Sequence, residues 1–348
     1  MSRVGLTGCL ALLCWTLGAP PAVAEASGQE RAQAAGRAIL GSPAPRLVLK
    51  TIDGDAIDLG DLYGKKAVYL KFWATWCVPC REQMPHFEHV YETAGPDLAV
   101  IAIDVGFNDS MEAIRTFRKK LGITMPIVFD DGGLDSAFHL RVTPTHVVIG
   151  RDGRVRYVGH LADKELDAAL IAAREAPAAA TARDAHVSVA ANDSPPIGIG
   201  DRLPNRSLRT LDGQRFSMLH GTGPQKLTAL VFLSPWCESY LATTRPEVSA
   251  GCRSVREQVA ALAADPRVRW LGIASGLWAN EEDLRKYRAE SNVAIPLTLD
   301  SSGDVFRTFR VNDVPTVLIA DAVGRIVRRI DAPAAHDNRA LRAAVDGS

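Results

Sequence analysis

Residues 67–85 read AVYLKFWATWCVPCREQMP, and the reading of the whole chain turns on them. Ala67 to Ala74 is a mostly apolar run of strand length, Trp76-Cys77 opens a turn, and a helical segment follows from Cys80 to about Thr93. This order places the Cys77 thiol at the exposed start of a helix and Cys80 one turn inside it, close enough to close a short disulfide. The helix N-terminus favours the thiolate of Cys77, the species that attacks a disulfide, and Cys80 then resolves the mixed disulfide. Taken alone, the Cys77-Val78-Pro79-Cys80 spacing also suits a metal site or a structural disulfide. No second cysteine pair stands at zinc-knuckle spacing, and His86, His89, His139, His146 and His160 form no spaced ligand cluster, so no metal site is expected.

Downstream, Leu98 to Asp104 reads as a strand, Met111 to Leu121 as an amphipathic helix, and Ile127 to Asp130, His146 to Gly150 and Val155 to Val158 as further strands. Strands alternating with helices imply an α/β layer structure around a central sheet. The plan is repeated. Gly41, Pro45, Thr51, Asp53 and Gly54 recur 159 positions later as Gly200, Pro204, Thr210, Asp212 and Gly213. Trp76-Cys77 recurs 160 later as Trp236-Cys237, and Pro144-Thr145 and Gly153 recur 171 later as Pro315-Thr316 and Gly324. An ordered series with a growing offset means a tandem duplication with about eleven residues inserted just after the second cysteine-bearing turn. Copy two repeats the elements at Thr228 to Leu233, Trp270 to Ala274, Glu282 to Ala289, Val317 to Ala320 and Ile326 to Ile330. Between the copies, residues 173–196 are rich in Ala, Pro, Ser and Asp without periodicity and read as a flexible linker.

Two stretches, LKFWATWCVPCREQMP at 70–85 and VTPTHVVIGRDG at 142–153, resemble the thioredoxin superfamily, and within it the TlpA-like and ResA-like exported reductases. The resemblance covers about residues 41–172. It implies an α/β fold of two thioredoxin-like domains, each a central mixed sheet flanked by helices, with the divergent second copy at residues 197–346. It implies further that Trp76 and Pro79 support the redox turn, that Pro144 is a cis-proline beside the disulfide with Thr143 contacting bound substrate, and that Pro315 is its second-domain counterpart. Pro85, five residues after Cys80, is placed to kink the active-site helix.

Two positions depart from the family. Where thioredoxins carry a buried aspartate this chain has Lys71, and where many TlpA-like proteins carry an acid it has Gln83. Lys71 either stabilises the Cys77 thiolate from a partly buried position or snorkels to solvent. In copy two the resolving position is Tyr240, Val231 stands where Lys71 does, and Cys252 lies just past the inserted stretch Ala242 to Gly251. If that segment folds back, Cys237 and Cys252 form a pair that is either a structural staple or a second redox centre exchanging with the first across the linker.

Near the start, Arg3 precedes an apolar run from Val4 to Leu17, followed by Ala22-Val23-Ala24, a small-x-small processing site. Residues 1–24 are therefore expected to be a cleaved signal peptide, leaving a periplasmic protein with no stable membrane span. Forty basic and forty acidic residues among 348 cancel, so no basic field points to nucleic acid. The sequence thus predicts an exported oxidoreductase that exchanges dithiol and disulfide with protein substrates through Cys77/Cys80. It needs no dissociable cofactor, works as a reductase and draws on an upstream electron donor. The rival reading makes copy two a non-catalytic docking or Cu(I)-binding module.

Overall fold

The structure, a computed structural model, describes residues 21–178, 195, 197–219, 225–331, 337 and 339–347. The first half opens with helix α1 (Pro21–Gly36), then strands β1 (Val48–Lys50) and β2 (Ala56–Asp58), short helix α2 (Leu59–Leu62) and strand β3 (Ala67–Trp73). Gly54, at φ 99°, turns the chain between β1 and β2 in a conformation that disfavours any side chain. All seven residues of β3 are buried, as expected of a central strand covered on both faces. Helices α3 (Val78–Glu82) and α4 (Met84–Glu92) lead to β4 (Leu98–Asp104), and α5 (Met111–Leu121) leads to β5 (Ile127–Phe129). Both connections are crossovers between parallel strands. Helix α6 (Gly133–Ala137), the antiparallel pair β6 (Thr145–Ile149) and β7 (Val155–Gly159), and helix α7 (Lys164–Glu175) complete a sheet of order β5-β4-β3-β6-β7.

The helix boundaries follow their caps. Ser110 Oγ accepts the Ala113 N–H at the start of α5 and Gly122, at φ 66°, ends it. Asp163 accepts two first-turn N–H groups of α7, a cap of about 1 kcal/mol.

The second half repeats the plan with β8 (Ser207–Arg209), β9 (Arg215–Ser217), β10 (Leu227–Leu233), α8 (Cys237–Thr244), α9 (Pro246–Leu262) and β11 (Val268–Ser275). Helix α10 (Glu281–Glu290), β12 (Leu297–Asp300), α11 (Asp304–Thr308), β13 (Thr316–Ala320), β14 (Ile326–Ile330) and α12 (Ala340–Asp346) follow. Its sheet order, β12-β11-β10-β13-β14, and its strand directions match those of the first. The insertion lengthens the helices after the redox turn, so that α9 spans 17 residues where α4 spans 9.

Three expectations are adjusted. The single helix from Cys80 to Thr93 is two, broken at Gln83, because Pro85 in the first turn of α4 has no N–H to continue the ladder. Residues 173–175 of the expected linker belong instead to α7, which runs to Glu175, and Ala173 is buried. Residues 179–194 and 196 of the expected linker lie outside the described residues, as do residues 1–20 of the expected signal peptide. The other difference is α1, which starts at the expected processing site and packs against β7 with Ala32 buried and Gly36 pressed on Val158. Among the described residues, no helix is long and apolar enough to cross a membrane.

Candidate active site

Strand β3 delivers the redox turn to the end of the first sheet. Beyond Trp73, the Thr75 N–H and hydroxyl both donate to the Asp109 carboxylate at 2.6 and 2.7 Å, and Trp76 Nε1 donates to the Phe107 carbonyl at 2.6 Å. Both partners lie in the loop after β4, so the turn is held by its neighbour strand as well as its own. Cys77 then acts as the N-cap of α3, its sulfur accepting the Cys80 N–H at 3.2 Å. The two cysteines form a disulfide with Cα atoms 5.2 Å apart. Pro79 stands in the first turn of α3, where a missing N–H costs nothing. The Thr143-Pro144 bond is cis, and Thr143 is fully buried.

Lys71 is enclosed rather than snorkelled: it has no exposed surface, its Nζ has no hydrogen-bond partner, and it lies 5.3 Å from the centre of the Phe87 ring. Burial pushes its pKa down from 10.5 to about 7. Beside it runs a chain of hydrogen bonds that the sequence did not reveal. Gln83 Nε2 donates to the His160 carbonyl at 3.3 Å, which leaves Gln83 Oε1 to accept from His146 Nε2 at 2.8 Å. His146 Nδ1 must then accept the Tyr69 hydroxyl proton, at 2.7 Å. The imidazole is thereby fixed in one neutral tautomer, and burial, then the nearby Lys71, holds its pKa well below the usual value. At the other end, His160 Nδ1 donates to the Pro144 carbonyl at 2.7 Å, tying this side of the site to the cis-proline. Gln83 is therefore a neutral link in a polar network, which explains how the site tolerates it in place of an acid.

In the second half, Cys237 begins α8 and is bridged to Cys252 on α9, with Cα atoms 6.3 Å apart. Both are buried, and the small cavity beside them is lined by Val231, Ser234, Tyr287 and Pro315 among others. The Val314-Pro315 bond is cis. From the second half Tyr240 reaches the first redox turn, its hydroxyl accepting the Val78 N–H at 3.1 Å. Among the described residues no three His, Cys, Asp or Glu side chains gather as a metal site. Tyr69 and Asp109 carried no signal of their own in the sequence, and Tyr240 stood out only as the residue at the resolving position, since each acquires its role through a partner far along the chain.

Comparison with known proteins agrees with this geometry. Residues 40–158 match the AhpC/TSA family. The thioredoxin-like protein YneN of Bacillus subtilis is 35% identical over 130 residues, which are 36% of this chain and 76% of that protein. The thiol-disulfide oxidoreductase ResA of Bacillus thuringiensis (strain Al Hakam) is 31% identical over 132 residues, 37% of this chain and 75% of ResA. The chain belongs to the ResA-like thiol-disulfide oxidoreductases. A crystal structure of a thioredoxin-family thiol:disulfide interchange protein from Chlorobium tepidum TLS is similar at 30% identity, covering 38% of this chain and 95% of its own, with a TM-score of 0.35. In this oxidoreductase each of these relatives covers little more than a third of the chain, and the family match, residues 40–158, contains the Cys77/Cys80 pair.

Proposed function

We propose that this is an exported, periplasmic oxidoreductase whose reduced Cys77/Cys80 pair donates electrons to disulfides in protein clients. The Cys77 thiolate attacks a client disulfide, breaking its S–S bond and releasing one client sulfur as thiolate. Cys80 then attacks the mixed disulfide, closing the Cys77–Cys80 bond and leaving the client with two thiols. Two electrons pass to the client, and an upstream dithiol donor restores the pair.

The observation that carries the reducing direction is the sparse solvation of the Cys77 sulfur. Of the three amide positions that follow it, Pro79 has no N–H, the Val78 N–H is held by Tyr240, and the Cys80 N–H alone donates to sulfur. Lys71, enclosed and with no hydrogen-bond partner for its Nζ, gives the sulfur no direct bond either. A poorly stabilised thiolate makes the dithiol the better electron donor, whereas strongly oxidising pairs owe their potential to a stabilised reduced form. Export is supported by Arg3, the Val4 to Leu17 run and Ala22-Val23-Ala24.

Expression of a Cys80→Ser variant tests this reading. Mixed disulfides with client proteins should accumulate in the exported fraction and vanish when Cys77 is also replaced. Retention of the chain in the cytoplasm, or absence of trapped clients, would overturn it.

A further inference from the structure

The two halves meet through their redox ends, and the same contact is made twice in opposite senses. The Asn108 N–H donates to the Asn312 carbonyl at 2.8 Å, and the Trp278 N–H donates to the Arg141 carbonyl at 2.7 Å. Asn108 and Trp278 are duplicate positions, 170 apart, as are Arg141 and Asn312, 171 apart. Such reciprocity is the mark of an isologous interface, here within one chain. Both loop residues take positive φ, 51° and 57°, which points their side chains across the contact toward the other half's cis-proline. Asn108 Oδ1 accepts the Val314 N–H at 2.8 Å, and Trp278 Nε1 donates to Thr143 Oγ1 at 3.3 Å.

Around this frame the second half meets the turn that carries Cys77. The Trp76 and Trp236 rings are 5.1 Å apart, and Tyr240 stands edge-on to both while its hydroxyl accepts the Val78 N–H. Arg245 bridges to Asp109 at 3.2 Å and to the Thr75 hydroxyl, the groups that hold the redox turn. Cys77 keeps 1% of its surface. A client disulfide must bring a sulfur into bonding distance of Cys77, and the polypeptide on either side of it must run where Tyr240 and Trp278 now stand.

We propose that the second half is a cover on the first half's redox site, and that a protein client reaches Cys77 only by displacing Tyr240 and Trp278. Duplication has turned a redox turn into a plug: the position of the resolving cysteine is filled by the residue that caps the other turn. Exchange with proteins then proceeds from the open arrangement, at a rate reduced by the fraction of time the interface is open. This rests on the reading of Cys77/Cys80 as a couple directed at proteins.

The test uses the full chain, pre-reduced, in single turnover against insulin as protein disulfide and oxidised glutathione as small disulfide, with Cys77 followed by alkylation and mass spectrometry. Trp278→Ala, and independently Arg245→Ala at the rim, should raise the insulin rate by about tenfold and raise the ratio of insulin to glutathione rates. Tyr240→Phe, which removes only the acceptor of the Val78 N–H, should raise it by a smaller factor. Insulin rates that stay level or fall in the first two variants would overturn the cover, since residues that help seat a client lower the rate when removed. No exchange with either disulfide, in wild type and variants alike, would instead overturn the redox reading on which the cover rests.

Discussion

Replacing Lys71 with Met should stabilise this protein at neutral pH, and the gain should fade as pH rises. Lys71 has no exposed surface and no hydrogen-bond partner, and burial lowers its pKa from 10.5 to about 7. At ~1.4 kcal/mol per pKa unit, that difference corresponds to about 5 kcal/mol of penalty for holding the charged amine in the folded chain. The sign follows from proton binding. Between pH 7 and 10.5 the unfolded chain holds the Lys71 proton and the folded chain releases it, so folded-state stability rises with pH through that window. Below pH 7 both states are protonated and the penalty is complete. Methionine fills a similar volume without a charge, at a packing cost of about 1 kcal/mol. Urea unfolding of oxidised wild type and Lys71→Met, followed by circular dichroism at pH 6 and pH 10, isolates this residue and its charge coupling to His146, because titrations that do not sense Lys71 cancel in the difference. The variant's advantage should shrink by about 4 kcal/mol from the lower pH to the higher. An advantage that stays level across the range, or a variant less stable than wild type at pH 6, would show that Lys71 is not a destabilising buried charge.

Three further outcomes are expected. Replacing Cys237 and Cys252 together by Ser opens a loop of sequence separation 15 and should cost about 3 kcal/mol, read as a lower urea midpoint, while Cys77/Cys80 exchange persists. Gly106→Ala should destabilise the chain by at least about 2 kcal/mol: at φ 64° an added Cβ would stand 2.1 Å from the Asp130 carbonyl oxygen, a backbone atom with nowhere to go. A thermal melt of the variant checks it. Gln83→Ala strands the buried His146 Nε2 proton and should cost about 1–3 kcal/mol, whereas Gln83→Glu, which can still accept it, should raise the His146 pKa in an NMR titration.

Much of the fold was legible because it is carried by local patterns. The apolar run at 67–74 and the alternation after it gave the central strands, and the growing offsets between copies gave a second set of the same elements, which the structure joins in a second sheet of the same strand order. The Cys77/Cys80 site was legible for the same reason, its chemistry lying within four consecutive residues. What escaped depends on distant partners. Whether Lys71 snorkels or is enclosed is decided by Phe87 on α4, and no local pattern encodes that choice. The Tyr69, His146 and Gln83 chain joins three separate elements. Helix α1 has no apolar stripe and so gave no period; it is held by close approach to β7 instead. The face-to-face docking of the halves was hidden behind a segment whose composition reads only as linker.

The midpoint potential of the Cys77/Cys80 couple decides whether the proposed reducing role toward proteins holds. The chain would be equilibrated in glutathione buffers of graded potential, its free thiols alkylated, and all four cysteines of residues 25–348 mapped by mass spectrometry. A reducing couple has its Cys77/Cys80 midpoint at about −270 mV, in the range of thioredoxin, and this is the value expected. A midpoint near about −120 mV, that of a strong oxidant, would mean that the Cys77 thiolate is well stabilised after all and that electrons flow the other way.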